Sequence, residues 1–295
     1  MILYFHNYQI FKLNSTLKIN CVRKKLLQLA LFLLNIYWCE AQIIHSPIKA
    51  NYIQIGAYSN NFTDAFSFTN NQASLISQKQ TSAGIYSERR FSLQELSNYS
   101  MAIAIPTDVG GFGVQTNYFG FDDYNESQLG IAYAKKLGQF INIGVQFNYY
   151  SIHISEYGNA NAVNFEMGFI IHPTEKITAG FHVYNPVGGN FEKNTNEKLA
   201  SIYNAGVGYE ASSQVFISAE IIKEENKPVN VNAGLQYVFA KQFFVRMGIV
   251  TESTSPYFGF GLHWKEFRLD ATVSYHPQLG FTPGFLFIYE FGKKE

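Results

Sequence analysis

Residues 141–150 read Ile-Asn-Ile-Gly-Val-Gln-Phe-Asn-Tyr-Tyr, and apolar and polar side chains alternate along the first nine of them. Successive side chains of a β-strand point to opposite faces, so a strand here has one apolar and one polar face. A helix, with its period of about 3.6 residues, would mix the two kinds of side chain around its circumference. Residues 229–239 and 266–276 alternate in the same way. The repeated pattern predicts an all-β fold.

Fourteen such segments can be counted along the chain, most of them long enough to cross a bilayer as tilted strands. Short turns follow the even-numbered segments, whereas most odd-numbered segments are followed by longer loops. We therefore predict a transmembrane antiparallel β-barrel of about 14 strands over residues 79–295, with both termini on the periplasmic side. The predicted strands are residues 80–91, 97–105, 110–121, 126–137, 140–153, 160–172, 176–187, 199–210, 214–224, 229–239, 242–252, 256–264, 266–276 and 283–291.

Composition separates this prediction from its alternative, a soluble β-sandwich. Only 15% of the residues are charged, whereas 47% are hydrophobic. A sandwich in water would carry charges on its outer faces, but the polar faces here hold mainly Asn, Gln, Ser and Gly. Aromatic residues near the strand ends are typical of the girdles of a membrane barrel. These are Tyr118, Phe119, Phe121, Tyr149, Tyr184, Phe243 and Trp264.

The first 41 residues have the pattern of an N-terminal extension followed by a cleaved signal peptide. The basic residues 23–25 precede an apolar stretch at residues 26–38, and Cys39-Glu40-Ala41 supplies a cleavage site. A transmembrane anchor is the alternative, but 13 helical residues rise only about 20 Å, less than the bilayer core. We expect an exported protein located in the bacterial outer membrane.

Removal of this leader changes the charge and the cysteine content. The leader carries five basic residues and one acidic residue, so 17 basic and 21 acidic side chains remain. Both cysteines, Cys21 and Cys39, lie in the leader. Disulfides and thiolate metal sites are therefore not expected. A mildly acidic chain without basic clusters is also a poor candidate for binding nucleic acid.

Residues 42–78 precede the barrel and do not alternate with period two. They contain short runs of polar and apolar residues with helix-start side chains. A barrel of fourteen strands leaves a lumen that this segment could plug as a hatch, or it could be a periplasmic tail. We favour the hatch, and its candidate residues are Asp64, Asn71, Ala73 and Leu75.

Assigning the apolar face of each strand to lipid directs the polar face to the lumen. The candidate lumen-lining residues are Asn142, Gln146, Asn148, Asn164, Glu166, His182, Glu220, Asn230, Asn232, Gln236, Arg246, Arg268 and Asp270. Such residues could contact a solute or hold the hatch. They could equally form an internal hydrogen-bond network that fills the lumen and carries nothing.

The leader, the pre-barrel segment at residues 64–75 and the fourteen strands together resemble the FadL superfamily of β-barrels. Within it, residues 85–91, 125–133 and 276–284 are most similar to PorV/PorQ-type proteins of the type IX secretion system. That resemblance implies a non-enzymatic accessory barrel, with secretion-system or cargo proteins as partners, in secretion or surface attachment. One departure lies in the hatch, where Asn71-Gln72-Ala73 replaces the family's usual Asn-Pro-Ala.

Two other functions stay open at this point. A FadL-like hatch-gated transporter of small or hydrophobic molecules is the main alternative. An outer-membrane hydrolase is the third, but the sequence has no metalloprotease, Gly-x-Ser-x-Gly or phosphate-loop motif. His153 and Ser155 are near neighbours without a third orienting group, so we assign no catalytic, cofactor-binding or metal-binding residue.

Overall fold

The computed structural model describes residues 43–189, 191, 197–252 and 254–292; the predicted leader, residues 1–41, lies outside them. Fourteen antiparallel strands close into a barrel, as predicted. They are β2 (Ser82–Arg89), β3 (Ser97–Thr107), β4 (Gly110–Gly120), β5 (Tyr124–Leu137), β6 (Ile141–Ile154), β7 (Gly158–Ile171), β8 (Ile177–Tyr184), β10 (Ile202–Glu210), β11 (Val215–Glu224), β12 (Val229–Phe239), β13 (Phe243–Val250), β14 (Ser255–Trp264), β15 (Phe267–His276) and β16 (Gly280–Glu290). Two further strands, β1 (Ile43–His45) and β9 (Glu197–Leu199), lie outside the barrel sheet.

Each barrel strand pairs with its neighbours in sequence, and the barrel closes where β16 pairs with β2. At this seam Gly284 lies opposite Glu88, and Glu290 lies opposite Ser82. Closure leaves no edge strand, so every strand has a neighbour on both sides. Each of the fourteen predicted strands corresponds to one barrel strand, and the ends differ by up to three residues.

The two rims of the barrel differ in their connections. The turn rim carries the turns at residues 108–109, 138–140, 172–176, 211–214, 240–242 and 265–266. The loop rim carries the connections at 90–96, 121–123, 155–157, 185–201, 225–228, 251–254 and 277–279. The longest connection, between β8 and β10, contains β9.

Burial alternates along the strands and separates an inner from an outer face. In β6 the polar Asn142, Gln146 and Asn148 are buried, whereas Phe147 is 64% exposed. An apolar side chain that exposed would be costly in water but is suited to lipid. Two aromatic residues differ from the predicted girdle. Tyr184 is buried, because it shares the inner face of β8 with His182 two residues earlier. Phe119 shares the inner face of β4 with Gln115, and its ring lies 5.0 Å from the Arg90 guanidinium.

The segment before β2 runs through the barrel. β1 pairs in parallel with β9 at the loop rim, and the Ala200 N–H donates to the His45 carbonyl over 2.9 Å. Three 3₁₀ helices follow inside the lumen, at Asn51–Tyr58, Ser67–Thr69 and Gln72–Ser77. The sequence predicts both termini on the periplasmic side. β2 begins and β16 ends at one rim, the turn rim, but the segment before β2 does not start there. It enters at the loop rim, because β9 supplies its pairing partner there, and it leaves at the turn rim to begin β2.

No helix among the described residues is both long and apolar enough to cross a membrane.

Candidate functional site

We call residues 50–77 the hatch, because they fill the lumen. The four candidate hatch residues, Asp64, Asn71, Ala73 and Leu75, are all buried inside the barrel. Asn71 caps the last 3₁₀ helix, since its side-chain oxygen accepts from the Ala73 N–H. Its amide nitrogen donates to the carbonyls of Phe169 and Phe181 on β7 and β8. Asn71 therefore orders the hatch locally and also ties it to the wall.

A buried charge cluster joins the hatch to β13 and β15. One carboxylate oxygen of Asp64 lies 3.2 Å from Arg246 Nη2 and 2.7 Å from Arg268 Nη1. Arg268 also pairs with Asp270 on its own strand, and Arg246 Nε donates to Gln236 over 2.6 Å. Charges of both signs are needed here, because an unpaired buried charge is expensive. Asp64 is the hatch's charged contribution to this cluster, and the hatch residue Tyr52 adds a hydroxyl that donates to Asp270 over 3.0 Å.

Two barrel glutamates hold the middle of the hatch. Glu220 accepts from the Tyr58 hydroxyl over 2.9 Å and from the Asn70 amide over 3.0 Å. Glu166 accepts from the Gln72 amide over 2.7 Å and lies 2.9 Å from His182 Nε2. Hydrogen bonds to charged groups are among the stronger ones in proteins. The hatch is thus bound to β7 and β11 by carboxylates on the wall, and His182 of β8 lies beside one of them.

Near the turn rim a third barrel carboxylate, Glu210, binds the bend after the first 3₁₀ helix. It accepts from the Ser59 hydroxyl over 2.6 Å and from the backbone N–H groups of Asn60 and Asn61. Glu210 ends β10, beside the turn at residues 211–214. Sequence analysis did not select Glu210, because it lies at a strand end, where the alternation gives no firm face.

The opposite wall binds the hatch through apolar contacts. Phe66, Phe68 and Leu75 of the hatch form one cluster with small and branched side chains of β2, β3, β5 and β16. The wall residues of that cluster are Tyr86, Ala102, Ala104, Ala132, Ala134, Leu286 and Ile288, together with Val250 of β13 and Tyr257 of β14. Ile55 and Phe62 of the hatch form a smaller apolar cluster with Phe216 of β11. The ion pairs and carboxylate hydrogen bonds of the hatch therefore lie toward β7–β15, and its larger apolar contact lies toward β2–β5 and β16.

Glycines on the inner face of the barrel leave the space that the hatch backbone and side chains occupy. A Cβ at Gly144 or Gly168 would collide with the backbone of Gln72 and Ala73, and a Cβ at Gly206 would collide with the ring of Tyr58. Glycine inside a strand often marks the close approach of another backbone. These glycines are a sequence signal for the hatch, and the alternation analysis missed it by counting them only as polar-face residues.

All thirteen candidate lumen-lining residues are buried on the inner face. Nine of them belong to the hatch-binding clusters or hydrogen-bond directly to a member, at positions 146, 148, 166, 182, 220, 236, 246, 268 and 270. Others face away from the hatch contacts: Asn142 lies 3.0 Å from His172 Nε2, and Asn230 accepts from the Thr251 hydroxyl. Part of the lining therefore binds the hatch and part of it stabilises the barrel wall.

The hatch divides the space inside the barrel. At the loop rim lies an open cavity of about 310 Å³, which we call the vestibule; Lys49, Tyr52, Glu88, Arg90 and Glu252 are among its lining residues. At the turn rim lies a recess of about 440 Å³ beside Ser77 and Asn142. A further space of about 40 Å³ lies next to the buried oxygens of Gln115, Asn204 and Tyr184, which have no hydrogen-bond partner among the described residues. Hatch residues such as Phe68, Asn71 and Gln72 are almost fully buried. The lumen is closed at its middle.

Charged residues of the loop-rim connections shift one another's pKa values. A hydrogen bond from Lys198 holds the pKa of the Glu225 carboxyl below its ordinary value. Burial lowers the pKa of Lys227, but the carboxylates of Glu224 and Glu252 outweigh it and raise that pKa above the usual value. Both ion-paired groups are charged near neutral pH, so the rim presents fixed charges.

Chemistry other than binding has little support in this arrangement. His153 Nδ1 lies 2.6 Å from the side-chain oxygen of Asn159 and both are exposed, away from any lumen cavity. Among the described residues no group of three or more His, Cys, Asp and Glu side chains is placed to hold a metal ion.

The fold is shared with solved outer-membrane channels. The CymD monoaromatic hydrocarbon channel superposes with a TM-score of 0.60 at 11% identity, covering 82% of this chain and 99% of its own. The Ralstonia pickettii toluene transporter TbuX also gives 0.60 at 11% identity, covering 85% and 99%. A Pseudomonas aeruginosa FadL homologue gives 0.54 at 11% identity, covering 85% and 100%. No family model and no curated protein matches the sequence. At these identities the likeness establishes the barrel fold alone, and it is the fold of FadL-like barrels.

Proposed function

We propose that this chain, exported with a cleaved signal peptide, is a hatch-gated transporter of small molecules in the bacterial outer membrane. The single observation that carries the proposal is the hatch itself. It closes a lumen that is open at both rims, and one of its sides is held by hydrogen bonds and ion pairs. The named structural neighbours, described as hydrocarbon channels and transporters, support the same function.

The two sides of the hatch support a direction of opening. Displacement from β7–β15 exposes mainly carboxylates, amides and guanidinium groups, which water can solvate in place of the lost contacts. It also exposes a smaller apolar contact, that of Ile55 and Phe62 with Phe216. Displacement from β2–β5 and β16 would expose the apolar cluster around Phe66, Phe68 and Leu75, which water does not compensate. The hatch is also continuous with β2. We infer that it pivots on the β2 side and opens a path along β7–β13.

A reversible cross-link tests this gate. The Ser59 hydroxyl and Glu210 carboxylate are 2.6 Å apart, so cysteines at both positions can be joined by a short thiol cross-linker. Because Cys21 and Cys39 both lie in the predicted leader, the processed chain would carry no competing thiol. We expect proteoliposome swelling in small solutes with the reduced double variant, loss of swelling after cross-linking, and recovery after cleavage of the linker. The single Ser59→Cys variant, treated identically, is the control. An equal rate of swelling before and after cross-linking would contradict gating by the hatch.

The secretion-accessory function implied by the PorV/PorQ resemblance stays a prediction. None of the neighbours named above is described as a secretion component. Impaired export or surface attachment of cargo proteins in a clean deletion strain would favour it over transport. The neighbours are channels and transporters rather than enzymes, which is consistent with a non-enzymatic role.

A further inference from the structure

The vestibule differs from the rest of the lumen, because it brings charges of both signs to open space. Its walls come from β11–β16, from β2 and from residues 46–52 of the entering segment. At about 310 Å³ it lies at the small end of the range for ligand pockets. Tyr52, Tyr86 and Tyr257 add ring surface to the same cavity.

Most charges around the vestibule already have partners. Arg90 Nε lies 3.2 Å from Glu88. Lys227 Nζ lies 3.1 Å from Glu224 and 3.5 Å from Glu252. Glu224 also accepts from the Ser46 hydroxyl, which fixes the entering segment to the end of β11.

Lys49 is the exception. Its backbone carbonyl accepts from Arg90 Nη2 over 2.8 Å, which holds the residue at the mouth of the cavity. Its ammonium group has no hydrogen-bond or ion-pair partner among the residues that the structure describes, although it lines the cavity. Burial lowers the pKa of this ammonium, and the carboxylates of Glu224, Glu220 and Glu252 only partly offset that effect. A direct hydrogen bond from an anionic group would stabilise its charged form. The Glu252 side chain is 42% exposed, and among the described residues its ion pair is the 3.5 Å contact to Lys227, so it retains capacity for a cationic group.

We propose that the vestibule binds a zwitterionic solute of the amino-acid or short-peptide class, with its carboxylate on Lys49 and its ammonium toward Glu252. A plain anion would meet the carboxylates of Glu224 and Glu252 beside Lys49, and a plain cation would meet Lys49 and Lys227. A hydrocarbon would displace water from these charges without replacing its hydrogen bonds. The tyrosine rings offer contact for an apolar side chain of the solute. This inference rests on the proposed transport function and names its substrate class.

Calorimetric titration of the detergent-purified full chain tests the proposal. The probes are alanyl-leucine, its N-acetylated amide, octanoate and toluene, which separate zwitterionic, uncharged polar, anionic and hydrocarbon ligands. We expect alanyl-leucine to bind best and Lys49→Met to weaken it about tenfold or more, the size of one charge-assisted hydrogen bond. Lys49→Arg, which keeps the charge, should retain binding. Lys135→Met, which removes an exposed charge from β5, should bind like the unchanged protein.

Preference for octanoate or toluene, equal binding of the dipeptide and its blocked form, or no binding of any probe would each overturn the proposal. So would dipeptide affinity that is unaffected by Lys49→Met. If Lys49→Met fails to fold, the comparison of the dipeptide with its blocked form still decides. The two hypotheses can fail separately. If the dipeptide does not bind but swelling in other solutes still depends on the cross-link, the substrate class is wrong and the transport function stands. If the dipeptide binds but swelling does not depend on the cross-link, the binding site stands and gated transport is wrong.

Discussion

Replacing Asp64 by asparagine removes the one hatch charge that faces Arg246 and Arg268. Breaking a buried ion pair by removing one partner costs about 3–5 kcal/mol. We use the lower end of this energy range, because Arg268 keeps Asp270 and Arg246 keeps Gln236 as partners. The substitution destabilises the docked hatch more than the displaced hatch, because water reaches both guanidinium groups when the hatch is displaced. At 1.4 kcal/mol per factor of ten, about 3 kcal/mol raises the ratio of displaced to docked hatch about a hundredfold.

The expected consequence is faster solute entry. Proteoliposomes with Asp64→Asn should swell faster than those with the unchanged chain at equal protein density, and the gain should persist over a range of solute sizes. Asp122→Asn is the matched control, because it makes the same chemical change at an exposed position between β4 and β5. Equal swelling of all three proteins, with thermal unfolding confirming an intact Asp64→Asn barrel, would refute the idea that the charge cluster holds the gate.

Three further predictions follow from the same structure. Phe147→Arg puts a charge on the lipid face and should reduce barrel stability by about 2–4 kcal/mol in lipid unfolding titrations, whereas Tyr157→Arg, in a loop, should change it little. Gly206→Leu should prevent the ring of Tyr58 from packing against β10, so we expect faster swelling and a lower midpoint of thermal unfolding. An unchanged midpoint would show that the hatch can move away from the larger side chain without loss of stability. An epitope inserted directly before Ile43 should bind antibody on intact cells, because β1 lies at the loop rim; binding only after permeabilisation would place that rim on the periplasmic side.

The barrel strands could be predicted because each strand is encoded by a local sequence pattern. Each strand carries its own two-residue period, so burial on one face can be identified without knowing the neighbouring strand. The last strand shows where this fails: β16 begins at Gly280, three residues before the predicted start. Pro283 obscured its start, because proline is unusual in a paired strand. It is tolerated because β2 joins β16 only from Gly284 onward.

The contacts inside the lumen were not predictable in the same way. Polar-face alternation selects Arg246 and Arg268 by their direction, but their partner Asp64 is 182 and 204 residues away in sequence. No local pattern encodes such a pairing. The same holds for β1 and β9, which have three residues each and are strands only because they meet. Lys49 was not selected either, since its role depends on which charges surround it.

The threading of residues 46–81 through a closed sheet also constrains how the molecule is made. A segment that enters at one rim and exits at the other is encircled by fourteen strands, so it cannot be inserted sideways once β16 has met β2. The segment must therefore either occupy the interior before the seam closes or thread through the closed barrel end first. A bulky folded domain fused ahead of Ile43 would block the second route, so such a fusion could assemble only if the seam closes last.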